Sequence, residues 1–401
     1  MSEVAQAPHS SPDGHIPQLR FPEFNVSWNE YKLGSITDVV DSLHTTPKDY
    51  VSSGFPMIRV VDVSNIELDL NKCLNVSEET YRQFTKKYQP KVGDVVLSRV
   101  GTCGASIMLR TKDNVCLGQN TVLLHPKINK DFYHILVKSN IFQVQVSRRV
   151  VGSTQKTLSL KDLKLFKLNI PAKPEQQKIA EFLTAVDNKI EQLSKKQALL
   201  GEYKKGLMQQ IFSQAIRFKA DDGSDFPDWK ENKVDEFMEV TRGQVLAVPE
   251  MRQVESEIFK YPVYSSQTKN NGLTGYYTDY LFEDCITWTT DGANAGDVNY
   301  RAGKFYCTNV CGVLRSKKGY ANLCIAQILN SVSRRYVSYV GNPKLMNNVM
   351  EKIKISIPSS INEQTKIANF LSSVDSKIEE VGKQLDESKQ FKKALLQKMF
   401  V

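Results

Sequence analysis

The sequence predicts a mixed α/β (α+β) protein built as an internal repeat: two similar globular modules, each followed by a long helix. Three observations lead there. The chain has the length and composition of two domains, one segment of it recurs, and the recurring segment carries apolar residues at alternating spacings of four and three.

With 401 residues the chain has room for about two domains of ordinary size. It is 41% hydrophobic and 24% charged, enough apolar content to build a sizeable core. The net charge of +9 is unevenly spread. Residues 1–174 hold 22 Lys/Arg against 16 Asp/Glu, whereas residues 213–362 hold 18 against 17. A polyanionic partner suits the first stretch, and in the second any such contact must rest on a local patch. The sequence has no apolar run of about 18 residues, so no membrane-spanning helix is expected. Residues 1–18 are polar, contain Pro8, Pro12 and Pro17, and read as a disordered lead-in without a signal core. Seven cysteines (Cys73, Cys103, Cys116, Cys285, Cys307, Cys311 and Cys324) have neither zinc-ligand spacing nor the even count of a disulfide framework. A reduced, cytoplasmic protein is expected.

The repeat is plain. Glu175-Gln-Gln-Lys-Ile-Ala-Glu-Phe-Leu-Thr-Ala-Val-Asp-Asn-Lys-Ile190 returns as Glu363-Gln-Thr-Lys-Ile-Ala-Asn-Phe-Leu-Ser-Ser-Val-Asp-Ser-Lys-Ile378, at an offset of 188 that persists to Phe212 and Phe400. Module starts are marked by Phe21-Pro22 before Trp28 and Phe226-Pro227 before Trp229. The expected layout is a first globular domain over 19–170, a helix over 171–213, a second globular domain over 214–357 and a second helix over 358–401. The helices match closely and the globular parts only at landmarks, a pattern suited to a shared helical task with different readouts.

In the first helix the seam is Ile179, Leu183, Val186, Ile190 and Leu193; in the second it is Ile367, Leu371, Val374, Ile378 and Val381. Three heptads of this alternation are coiled-coil spacing. Each seam is too long for one small domain to cover, so the helices are expected to pair with each other, antiparallel if the modules are related by a pseudo-twofold. Gln197 and Ser388 are polar seam positions that can fix register.

Within the modules, short β-rich runs (Met57–Val63, Asp94–Ser98, Asn120–Leu124; Ile258–Val263, Cys285–Thr290) alternate with glycine turns. Helices are expected over Lys130–Arg149 and from Ala321 to Arg334-Arg335. Several polar, cationic loops recur at corresponding places and suit nucleic acid, because Arg, Lys, Gln and Asn read base edges while Ser, Thr and Lys take phosphates. In module one the candidates are Thr45, Thr46, Arg59, Asp62, Arg99, Thr102, Arg148, Arg149, Ser153, Thr154, Gln155 and Lys156. In module two they are Tyr264, Ser265, Ser266, Gln267, Lys269, Thr289, Thr290, Asp291, Arg334, Arg335, Asn342 and Lys344. Taken singly, each fits a solvated turn or helix end equally well.

Chemistry is sparse. The sequence has no phosphate-loop motif, no glycine-rich cofactor fingerprint and no Asn/Asp-Pro-Pro-aromatic run, and its five histidines form no ligand-spaced pair. A self-contained methyltransferase or nuclease is therefore disfavoured, and a coiled-coil adaptor for proteins alone is the other alternative.

The two Glu-Gln-x-Lys-Ile-Ala-x-Phe-Leu-x-x-Val-Asp-x-Lys-Ile segments, with Leu19-Arg-Phe-Pro22, Val92–Ser98, Gly152-Ser-Thr-Gln155, Ile286–Gly292 and Phe305-Tyr306, resemble the specificity subunit of type I restriction-modification enzymes. The resemblance runs from about Leu19 to the last helix. It implies a non-catalytic subunit with two target-recognition domains, each reading half of a split, asymmetric double-stranded DNA site. It also implies an antiparallel coiled coil that sets the spacer and binds two methyltransferase subunits. S-adenosylmethionine, ATP and Mg would reside on those methyltransferase subunits and on motor-nuclease subunits, with no cofactor or metal in this chain. Module two departs from the pattern by carrying Gly341-Asn-Pro-Lys344 where module one has Gly-Ser-Thr-Gln.

Overall fold

A computed structural model describes residues 16–63, 68–152, 156–266 and 269–401. These form two compact units: the described residues up to Lys195 together with Gly382–Val401, and Lys196–Val381. The unit boundary thus falls inside the two long helices, Lys173–Phe212 and Ile361–Lys398, rather than at their ends.

Each unit is closed by a short antiparallel ribbon that joins its first strand to its last, Asn29–Lys32 to Lys167–Ile170 in unit one and Lys230–Lys233 to Lys354–Ile357 in unit two. Unit one holds a four-stranded sheet in the order Thr37–Asp41, Thr121–Pro126, Val95–Ser98, Ser106–Met108. A three-stranded sheet (Leu74–Val76, Phe55–Ile58, Cys116–Leu117) accompanies it. Unit two begins its six-stranded sheet in the same order, with Glu239–Arg242, Cys311–Arg315, Phe282–Thr289 and Val298–Cys307, then adds Tyr261–Tyr264 and Leu273–Tyr277. Its core centres on Trp288, which faces Gly312 across the sheet. The indole fills the space so closely that a Cβ on Gly312 would lie 2.1–2.3 Å from three ring atoms.

Inside unit one the start of the first long helix packs beside the end of the second. Ile179 and Leu183 share one apolar cluster with Leu395, Met399 and Phe400, and Asp187 forms an ion pair with Lys392. Inside unit two the roles reverse. Ile211 clusters with Ile367 and Leu371, and Lys204 bonds to Asp375 at 2.8 Å. Within each unit the two segments therefore run antiparallel. The two ion pairs are repeat equivalents, because Asp187 and Asp375, like Lys204 and Lys392, are separated by the offset of 188. Along the seams Ile179, Leu183, Leu193, Ile367, Leu371, Val374 and Val381 are buried, and Val186, Ile190 and Ile378 half-buried. Ser388 satisfies its hydroxyl within its own helix, donating to the Gln384 carbonyl at 2.7 Å.

The Glu-Gln pair of the repeat is an anchor between helix and module. Glu175 accepts both Arg20 Nε and Nη2 at 2.7 Å and Trp28 Nε1 at 3.2 Å. Glu363 repeats this with Arg217 at 3.2–3.4 Å and Trp229 at 3.1 Å. Beside them Gln176 donates to the Pro171 carbonyl and accepts the Asn129 amide, while Gln364 donates to the Pro358 carbonyl and accepts from Asn322 Nδ2. Asn129 and Asn322 cap the first helix of each module's helical layer, so one glutamine links two helices by hydrogen bonds.

Two sequence expectations are corrected. Met57–Val63 is not one strand: pairing stops at Ile58 and Val60–Val63 is a helical turn. The buried Asp62 carboxylate accepts the Arg59 amide at 2.9 Å and its guanidinium at 3.1 Å, and this local cap overrides the β-branched preference of the valines. Lys130–Arg149 is two helices, broken at Ser139, whose backbone is extended and whose hydroxyl donates to the Leu136 carbonyl. Among the described residues no helix is long and apolar enough to cross a membrane.

Candidate nucleic-acid interface

In unit one the glycine turn after Val95–Ser98 is brought against the segment following the second of the two helices. Gly101 N–H donates to the Lys156 carbonyl at 3.0 Å, Leu158 N–H to the Arg99 carbonyl at 2.9 Å, and Thr157 bridges both Val100 and Val151. Val151 and Lys156 are thus held beside the turn that carries Thr102. Thr102, Lys156 and Arg148 are exposed at this edge. Arg149 stacks over the Phe166 ring at 5.1 Å, which fixes its direction. Ser153, Thr154 and Gln155 lie outside the described residues.

Unit two builds the same arrangement. Gly292 N–H donates to the Pro343 carbonyl at 2.9 Å, Leu345 N–H to the Thr290 carbonyl at 2.8 Å, and Lys344 bridges both Asp291 and Ser338. These bonds define a residue-level correspondence: Arg99 with Thr290, Gly101 with Gly292, Lys156 with Pro343, Thr157 with Lys344. Val151 therefore corresponds to Ser338 and, counted along the sequence, residues 152–156 correspond to 339–343. The alignment of Gly341-Asn-Pro-Lys344 with Gly152-Ser-Thr-Gln is corrected by two residues. Asn342 and Lys344 are exposed, the latter 3.8 Å from the Asp291 carboxylate. Arg335 is exposed, while Arg334 is held by Asp297, with Nε at 3.2 Å from the carboxylate.

Several candidates have structural partners instead of a free surface. Thr290 is buried and its hydroxyl contacts the Val310 carbonyl at 2.9 Å and the Asp291 carboxylate at 2.7 Å; Thr289 is buried beside it. Arg99 is buried, with Nη2 3.5 Å from Asp41, which in turn contacts His44 at 2.8 Å. Asp62 is committed to Arg59. Thr45 and Thr46 are exposed in the loop past His44. Ser265 accepts the Thr308 hydroxyl at 2.9 Å, Ser266 is half-buried, and Tyr264 lies 3.9 Å from the Arg301 guanidinium. Gln267 and the Lys269 side chain are outside the described residues.

Arg301 is missing from the sequence reading. It is 5% exposed, and among the described residues no carboxylate pairs with it. Burial pushes its pKa down, an effect opposed by Tyr264 and the neighbouring Cys311 and Cys307 thiols. Its strand, Val298–Cys307, also carries the exposed Lys304, so residue type alone does not separate the buried cation from the solvated one. Among the described residues no group of three His, Cys, Asp or Glu side chains is placed to hold a metal.

The family model of the type I restriction modification DNA specificity domain matches twice, at residues 25–200 and 227–387. The chain is 24% identical over 414 residues to the MjaX specificity subunit assigned to a type I restriction enzyme in Methanocaldococcus jannaschii, covering 96% of this chain and 93% of that one. Its fold is similar to the crystal structure of a type I restriction-modification S subunit from M. genitalium, with a TM-score of 0.64 and 18% identity over 96% of this chain and 99% of that one. A chain from a structural study of assembly and conformational transition in a type I system matches with a TM-score of 0.53 and 13% identity, over 92% and 96%.

Proposed function

Because the chain belongs to the type I restriction-modification DNA specificity family, whose subunits recognise DNA without catalysing its modification or cleavage, we propose that each unit reads one half of a split duplex target. The observation that carries this reading is the paired tie between a glycine turn and a second segment: two units of one descent hold Lys156–Leu158 and Pro343–Leu345 against their turns by the same backbone hydrogen bonds, with different side chains around them. Exposed Lys156, Arg148, Lys344 and Arg335 suit phosphates and orient the units, while diverged residues around the turns choose bases. Two readers on one chain also multiply specificity through effective concentration.

The long helices set the spacing between half-sites and offer near-equivalent surfaces to two methyltransferase subunits. Those partners carry S-adenosylmethionine and methylate adenine, while motor-nuclease subunits carry ATP and Mg. The conformity of the helical repeat, against the divergence of the modules, supports this division. Methylation-aware sequencing of a host with and without this chain tests it: adenine methylation at one bipartite motif should vanish when the chain is removed. Methylation by the purified chain alone would overturn it.

The spacer role has its own test. Four residues inserted after Leu193, with four at the repeat-equivalent place after Val381, lengthen each helix by roughly 6 Å. Against about 3.4 Å of rise per base pair, the methylated motif should gain one or two spacer positions with both half-sites unchanged. An unaltered spacer in an active complex refutes the ruler.

A further inference from the structure

Unit two carries a polar cluster where unit one carries apolar core, and its centre is Arg301. The turn bonds fix the comparison. Ser98 N–H donates to Ala105 and Gly104 N–H to Ser98, as Thr289 N–H donates to Asp297 and Gly296 N–H to Thr289. Counting back and forward from these turns, Val96 corresponds to Thr287, Ile107 to Asn299 and Leu109 to Arg301. The strand pairing agrees, since Val96 faces Ile107 and Thr287 faces Asn299. In unit one this trio lies in an apolar cluster with Ile58 and Leu123. The fold thus accepts hydrocarbon at these places, and a buried, unpaired guanidinium there is costly.

What Arg301 can bind follows from how it is held. Its Nε donates to Thr287 Oγ1 at 3.1 Å, and its plane lies on the Tyr264 ring at 3.9 Å. The Thr287 hydroxyl points its own proton toward the Asn299 carbonyl at 3.5 Å, leaving its oxygen to accept from Arg301. With Nε tied and one face covered, the two Nη groups remain to make a fork. Arg301 lines a polar cavity of about 200 Å³ with Ser265, Asn271, Thr289, Asn299 and Asp297. A phosphate would want donors alone, and the Asp297 carboxylate opposes it. A base-pair edge with both acceptors and donors fits better. Arginine forks onto guanine O6 and N7, and a carboxylate or amide oxygen accepts the amino group of the paired cytosine.

We propose that Arg301, oriented by Thr287 and Tyr264, reads a guanine in the half-site of unit two. This rests on the half-site reading above. The test is selection of duplexes from a randomised pool by the full chain with its methyltransferase partner, comparing wild type, R301Q and the triple variant T287V/N299I/R301L. The triple variant installs the apolar trio that unit one already folds around. Wild type should select a fixed guanine in one half-site. Both variants should lose that preference by roughly 10- to 100-fold, keep the other half-site and leave the salt slope of binding unchanged. Amide hydrogen-exchange protection of unit two should be no lower in the triple variant than in wild type. Guanine retained by R301Q, or a loss uniform over all sequences with a shallower salt slope, overturns the proposal alone. A wild-type complex that selects no sequence overturns the half-site reading and this inference together.

Discussion

Glu175→Gln is expected to destabilise unit one by about 3–5 kcal/mol, the usual cost of breaking a buried ion pair from one side. Glu175 is 2% and the Arg20 side chain 11% exposed, and two short bonds join them while Trp28 adds a third. Glutamine preserves the shape but removes the charge and turns a donor toward a guanidinium. Replacing both partners with Glu175→Leu and Arg20→Met should recover much of the loss, because no charge is then left uncompensated. Amide hydrogen exchange is the suitable readout, since two units make a single unfolding midpoint ill-defined. Protection should fall in unit one. The repeat-equivalent Glu363→Gln should cost less, as Arg217 is 25% exposed and its bonds are longer. Equal losses at the two sites would show that burial does not set the strength of these anchors.

Trp288→Ala is expected to cost unit two about 3–5 kcal/mol, the range for deleting a large buried aromatic. The indole is 1% exposed, and neither Gly312 opposite nor the surrounding strand can fill the cavity. The change also orphans the Leu345 carbonyl, which accepts Trp288 Nε1 at 2.9 Å. Leu345 adjoins Lys344, so loosening it should weaken binding at one half-site while the other stays intact. Trp288→Phe, which keeps most of the packing, should fall between wild type and the alanine variant. An alanine variant within 1 kcal/mol of wild type would mean that the ring is not what holds this layer.

The helices were the most legible part of the sequence because their signal is periodic and long. Ile179, Leu183, Ile367 and Leu371 are buried where the seam spacing put them. The modules were less legible, since their elements are short and fixed by single side chains. Asp62 turns an apparent strand into a helical turn, and Ser139 divides one apparent helix into two. The loop candidates erred for a related reason. Residue type marked Thr289, Thr290 and Arg99 as donors, but whether a donor faces solvent depends on strand register, which composition does not reveal. The Glu-Gln pair was visible as a recurring motif. Its work as an anchor was not, because Arg20 and Trp28 lie far away in sequence and nothing local announces the contact.

The sharing of the long helices has a consequence for biogenesis. Unit one draws Leu395, Met399 and Phe400 into the core that contains Trp28 and Phe132, and Leu19 N–H bonds to the Lys398 carbonyl. Its first strands leave the ribosome long before those residues exist, whereas unit two is one unbroken stretch of chain. The earlier-made unit is therefore the later one to finish folding. Until translation reaches the closing helix it presents an uncovered apolar face, and a premature stop near Leu395 injures the module that was synthesised first.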